Sequence, residues 1–198
     1  MPRHRMLALA CFAFCLGDAP AQESGDPERG RRAFLEHGFE TGGIPVSVFE
    51  RLEPMARPLD PWLRLGFDRL PDRTGENGGL PMQLSVREVG GQPLATSNCM
   101  TCHVGPLLGK WVVGLGAHTR DFTRPAAPFI LGGLFGVRSL AEWREYARWS
   151  DRALGIAPYV RTTTRGLNPA DHFAGYLWAH RDPETLEWLD EPTMRLPP

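Results

Sequence analysis

The apolar positions of this chain fall into short runs separated by glycine and proline. The first run, Met6 to Leu16, follows Arg3 and Arg5 and precedes Ala19-Pro20-Ala21. It is too short for a stable membrane anchor. A basic start, an apolar centre and small residues at the end read as an export signal over residues 1–21, cleaved after Ala21. Asp26-Pro27 then opens a helix with proline at its first position, Phe34 and Leu35 facing inward and Gly38 as its stop. Pro45 to Leu52 is a second short amphipathic stretch carrying Val46, Val48, Phe49 and Leu52, after which Pro54, Pro58 and Pro61 predict a loop that carries Trp62.

From Asp72 to Gly91 turn residues dominate, interrupted by a short strand over Leu80 to Val86. Trp111 to Leu115 is a further apolar run that would pair with this strand or line a pocket. The C-terminal third reads as helical. Ser139-Leu140-Ala141-Glu142 fits a capping box and leads into Trp143, Tyr146, Ala147 and Trp149, most of them on one side. Asn168-Pro169 starts the next helix, with Phe173, Tyr176 and Leu177 inward. Asp182-Pro183 starts another, containing Leu186, Trp188 and Leu189. The pattern predicts a mainly α, loop-rich fold of short helices with at most a small β-hairpin.

Composition agrees with one domain over residues 22–198. The chain has 198 residues, 42% of them apolar, and its 22 glycines and 19 prolines require many turns. Basic and acidic residues number 22 and 23 and form no long block of one sign, so neither nucleic acid nor an anionic membrane surface is an expected partner. Removal of the signal takes Cys11 and Cys15 with it. The mature chain then keeps Cys99 and Cys102 alone, which excludes a disulfide framework.

Those two cysteines stand in Cys99-Met100-Thr101-Cys102-His103, the C-x-x-C-H spacing of haem c attachment. Two thiols about one turn apart reach the two vinyl groups on one edge of a porphyrin, and the next residue is placed to bind iron. Cys99 and Cys102 are thus the expected thioether anchors of one haem per chain, with His103 as the iron ligand. Two other uses compete. A thioredoxin-like redox pair needs a βαβ setting that the glycine- and proline-rich surroundings do not provide. Structural zinc needs a fourth ligand, and no second cysteine pair or paired-histidine motif follows.

The second axial position of the iron decides between electron transfer and ligand chemistry. Met55, Met82, Met194, His37, His118, His172 and His180 are the candidates, or the position is open. The segment Gly114 to Phe122 would let backbone approach a ring closely, and its Arg120 could pair with a haem propionate or lie in a solvated loop.

Several segments together carry a resemblance. Ser97 to Gly105, the preceding Gly79-Leu80-Pro81-Met82, the following Val113 to Gly116 with Asp121-Phe122, and Arg181 to Trp188 resemble the N-terminal haem region of bacterial di-haem cytochromes, which include cytochrome c peroxidase-like and rubber-oxygenase-like proteins. The resemblance implies a periplasmic, cytochrome c-like haem domain of a larger redox enzyme. This sequence has one C-x-x-C-H, so a second haem domain would come from another chain or from a continuation of a truncated one. Two functions are expected from the reading: an exported one-electron carrier that docks with a redox partner protein or a second haem domain, or the haem domain of a di-haem peroxidase or oxygenase.

Overall fold

The helix starts at Asp26 and Ser139 follow local signals in the sequence. The structure, a computed structural model, describes residues 25–59, 66–71, 73–167, 169–190 and 193. The predicted export signal, Cys11, Cys15, Trp62 and Met194 lie outside them, as do the side chains of His172, Phe173, Tyr176 and Leu177. The chain divides into two units, one ending at Arg32 and one beginning at Ala33. In the first, the Asp26 carboxylate accepts hydrogen bonds from the N–H groups of Glu28 (3.0 Å) and Arg29 (3.1 Å). Donors left over at a helix start are satisfied in this way, and helix α1 (Pro27–Glu36) begins there.

The second unit runs through β1 (Ile44–Pro45), α2 (Val46–Ala56), a 3-10 turn (Arg57–Leu59), a one-turn α3 (Gly75–Gly78), β2 (Leu84–Val89) and β3 (Gln92–Ser97). A 3-10 turn (Cys99–Thr101), β4 (Val104–Leu107), β5 (Lys110–Val113), α4 (Ala127–Gly132), a 3-10 turn (Gly133–Gly136), α5 (Leu140–Ile156) and α6 (Ala170–Ala179) complete it. Three strands form an antiparallel sheet in the order β1-β3-β2, and β4-β5 is a separate antiparallel hairpin.

The expectation of a mainly α fold with at most one small hairpin is therefore corrected to mixed α and β with two small antiparallel sheets. Both hairpins are closed by two residues at positive φ, Gly90 (58°) with Gly91 (79°), and Leu108 (48°) with Gly109 (76°). Such two-residue turns match the right-handed twist of the strands they join. β2 with β3 and β4 with β5 consequently pair as neighbours in sequence, while β1 joins the other edge of β3. The apolar run at Trp111 pairs with Val104–Leu107 and not with the strand after Leu80.

Two helix expectations are also corrected, at Pro54 and at Asp182, whereas two of the three α5 aromatics share one side as expected. Pro54 does not end α2 but sits within its last turn, where the hydrogen bond it removes is one of the final ones. Only Tyr146 of the α5 aromatics is fully buried, with Trp149 half-buried beside it and Trp143 49% exposed. Asp182 does cap the N–H groups of Glu184 (3.0 Å) and Thr185 (2.8 Å), as a helix start would. The chain then reverses at Leu186 (φ 60°), and Arg181 bridges to Trp188.

Two clusters make the core. One gathers Ile44, Val48, Phe49, Phe67, Leu80, Ala95 and Tyr146 between the sheet and the helices. The other gathers Leu35, Leu70, Met82, Met100 and Val104, with Phe34 against it.

Glu142 ties α5 to α2. Its carboxylate accepts from Ser47 Oγ (2.5 Å), the Arg51 guanidinium and the Arg138 N–H (2.7 Å), and it completes the capping box with Ser139. Burial alone would raise this carboxyl, but the bonds from Ser47, Arg51 and Arg138 outweigh it and hold the pKa at about 2. A carboxyl depressed in the folded state stabilises it above the unfolded value and loses that effect as pH falls. Part of the acid unfolding should accordingly lie between pH 4.5 and about 2. Glu142→Gln should cost about 2 kcal/mol at pH 7, a figure reduced for the exposure of Arg51, and should flatten stability over that window. Urea unfolding at pH 7, 4 and 3 checks both, and equal losses at all three would refute it.

Candidate cofactor attachment site

The C-x-x-C-H segment is a capped turn that follows directly from the end of β3. Alternation along β3 puts Leu94, Thr96 and Asn98 on one face, opposite Ser85 and Arg87 of β2. On that face buried Ser85, Thr96 and Asn98 form a polar patch next to buried Leu94. Asn98 donates from Nδ2 to the Met82 carbonyl and to Ser85 Oγ, both at 2.9 Å, while its Oδ1 accepts from the Met100 N–H at 2.9 Å. The side chain thus caps the 3-10 turn that carries Cys99.

Further bonds fix the turn from both sides. The Gln83 carbonyl accepts from the Asn98 N–H (3.1 Å) and from Thr101 Oγ1 (3.2 Å). The Cys102 carbonyl accepts from the Ala117 N–H (3.0 Å), and that of His103 from the Gly114 N–H (2.8 Å). Met100 is buried in the core cluster, whereas Cys99 and Cys102 are half-buried thiols and His103 is exposed. Packing of the one apolar residue inward leaves the three chemical residues outward. The His103 ring meets the edge of Phe34 with centroids 6.4 Å apart.

The adjoining hairpin offers an apolar face. Register pairs Val104 with Val113 and Pro106 with Trp111, so these four residues share one side of β4-β5. Val104 is buried in the cluster under the turn, and the stripe runs outward from it to half-exposed Trp111 and Val113. On the opposite side Gly105 admits its neighbours closely. A Cβ there would stand 2.5 Å from the Gly116 carbonyl and 3.0 Å from the His118 Nδ1.

The candidates for a second axial position are dispersed. Met82 is buried in the core cluster, Met55 is exposed near the end of α2, and His37 is exposed just after α1. His118 lies over Gly105, close in sequence and space to His103. His180 stacks on Trp188 at 5.0 Å and its Nδ1 is 3.0 Å from the Leu189 carbonyl. Arg120 donates to Gln83 Oε1 (3.0 Å) and packs over Gly66.

Sequence reasoning missed the supports of the turn. Asn98 carried a usable signal, an asparagine one residue before a turn, which is a capping position. Arg73 carried none. Its side chain is 0% exposed, and it donates to the carbonyls of Pro81 (3.2 Å), Met82 (3.2 Å) and Leu84 (2.6 Å) and to Ser85 Oγ (3.0 Å). Among the described residues, no three His, Cys, Asp or Glu side chains are grouped to hold a metal ion. No family model, no curated protein and no solved structure matches this chain.

Proposed function

We propose that this chain is an exported c-type cytochrome that holds one haem c and passes single electrons to a redox partner protein or a second haem domain. The observation that carries the reading is Cys99-Met100-Thr101-Cys102-His103 held as a capped turn, with half-buried thiols, an exposed imidazole and an apolar strip beside it. When bound, the haem supplies a one-electron iron couple whose potential the protein tunes. The donor set suits that group better than a bare metal ion, because two thiols and one histidine lack the fourth ligand of structural zinc.

Each residue has a part to play. Cys99 and Cys102 would become thioethers, which keeps the group attached to a small, loop-rich protein. His103 would ligate iron, with Phe34 against its ring. Pro106, Trp111 and Val113 would cover apolar ring surface that water would otherwise wet. Asn98, Gly114 and Ala117 would keep the turn from shifting under the load. The apolar run before Ala21 supports export, since attachment of this kind occurs outside the cytoplasm.

The test is an alkaline pyridine haemochrome spectrum of the protein co-expressed with haem-attachment machinery. One c-type haem per chain is expected in the wild type, and none in the Cys99→Ala/Cys102→Ala variant. A colourless wild type would overturn the reading. A high-spin iron that binds cyanide or carbon monoxide would favour the peroxidase or oxygenase domain over the simple carrier.

A further inference from the structure

Resting on that reading, we infer that wholly buried Arg73 and its part-exposed partner Glu36 together set the reduction potential at the attachment site, Arg73 raising it and Glu36 lowering it. The geometry is specific. The Arg73 guanidinium and the Asn98 amide share two acceptors, the Met82 carbonyl and Ser85 Oγ. Asn98 in turn holds the Met100 N–H between the two cysteines. A fixed cation therefore stands three hydrogen bonds from the backbone of the C-x-x-C-H turn.

Its surroundings keep the charge from being screened. The side chain is wholly buried, Ser85 and Asn98 are each 0% exposed, and Met82 and Met100 lie alongside. Among the described residues Nε has no hydrogen-bond partner, and the carboxylate paired with it is Glu36, with Oε2 at 3.9 Å. Glu36 is itself held by Asn77 Nδ2 at 2.6 Å. Four donated bonds would be made as well by a neutral network at lower desolvation cost, whereas a cation here acts on any nearby centre that changes charge. Gain of one electron by the iron, supplied in a titration by dithionite and returned to ferricyanide, is favoured by a positive neighbour and opposed by a negative one.

Potentiometric titration of the haem-loaded protein at pH 6 tests this with three variants. Arg73→Gln should move the midpoint negative, Arg73→Lys should stay near the wild type although it loses bonds, and Glu36→Gln should move it positive. A structural role alone would shift Gln and Lys variants alike, and that result, or an unmoved midpoint in Arg73→Gln, overturns the inference. If Arg73→Gln does not fold, Glu36→Gln and Arg73→Lys decide, and a Glu36→Gln midpoint equal to the wild type overturns it. Absence of covalent haem in the wild type would instead be a failure of the cytochrome reading, seen beforehand in the haemochrome spectrum.

Discussion

Asn98→Ala should lower the unfolding free energy by about 3 kcal/mol, read from urea unfolding of the protein. The side chain is fully buried and makes three hydrogen bonds at 2.9 Å, each net worth about 1 kcal/mol. Alanine would also leave the Met100 N–H without its acceptor, and a buried donor without a partner costs more than the bond it lost. The Met82 carbonyl and Ser85 Oγ keep Arg73 as a donor, which limits the damage on that side. Asn98→Ser can still cap the turn but cannot span to both Met82 and Ser85, so it should recover about 1 kcal/mol. A loss below about 1 kcal/mol for alanine would mean that the turn is held by Gln83, Gly114 and Ala117 alone. Loading of covalent haem should fall in step with stability, because the two thiols must be presented on a formed turn.

The parts of the fold that were legible in the sequence are those specified by adjacent residues. Asp26-Pro27 and Ser139 with Glu142 begin helices as expected, because a cap acts within one turn of chain. Strand pairing was less legible. Gln92–Ser97 contains Pro93 and ends in Thr96 and Ser97, so its apolar alternation is weak, and Gly90-Gly91 reads only as part of a turn-rich stretch. Leu108 at φ 48° and 95% exposed gives no turn signal at all, since leucine is an unfavourable choice there. Asp182 misled for the opposite reason: a valid local cap was overridden by the reversal at Leu186.

The same division runs through the site. Cys99, Cys102 and His103 stand out as candidates because the C-x-x-C-H spacing lies within five consecutive residues. Arg73, Ser85 and Asn98 come together only through the register of β2 with β3, which no local pattern announced. Arginine in particular is read as a surface residue, and only three carbonyls and a hydroxyl in one place make its burial tolerable. Of the residues named from the sequence for a second axial position, Met82 is packed in the core and His180 is stacked on Trp188, placements that no local pattern announced.

Gly133→Ala should be more damaging still, at about 3–5 kcal/mol, although alanine is ordinarily the better helix former. Gly133 has an ordinary φ of −64°, so the cost is steric. A Cβ would stand 2.6 Å from Cζ and 3.0 Å from Cε2 of Tyr146 and would overlap its hydroxyl. That ring cannot swing away. It is buried among Phe49, Phe67, Leu80 and Val48, it leans on Trp149 with centroids 5.4 Å apart, and its hydroxyl donates to the Ile130 carbonyl. Overpacking at about 1–3 kcal/mol and loss of a buried hydrogen bond at about 1–3 kcal/mol combine to about 2–6 kcal/mol, which brackets that figure. Tyr146→Phe removes the overlapping oxygen, so it should cost less when combined with Gly133→Ala than in the wild type, and strictly additive losses in that cycle would refute the clash. The phenol supplies a second readout. Burial raises its pKa from 10.0 to about 12, so its contribution is complete below pH 10 and is lost as pH rises through about 12. Wild-type stability should fall across that alkaline window more steeply than that of Tyr146→Phe, which has no proton to lose there.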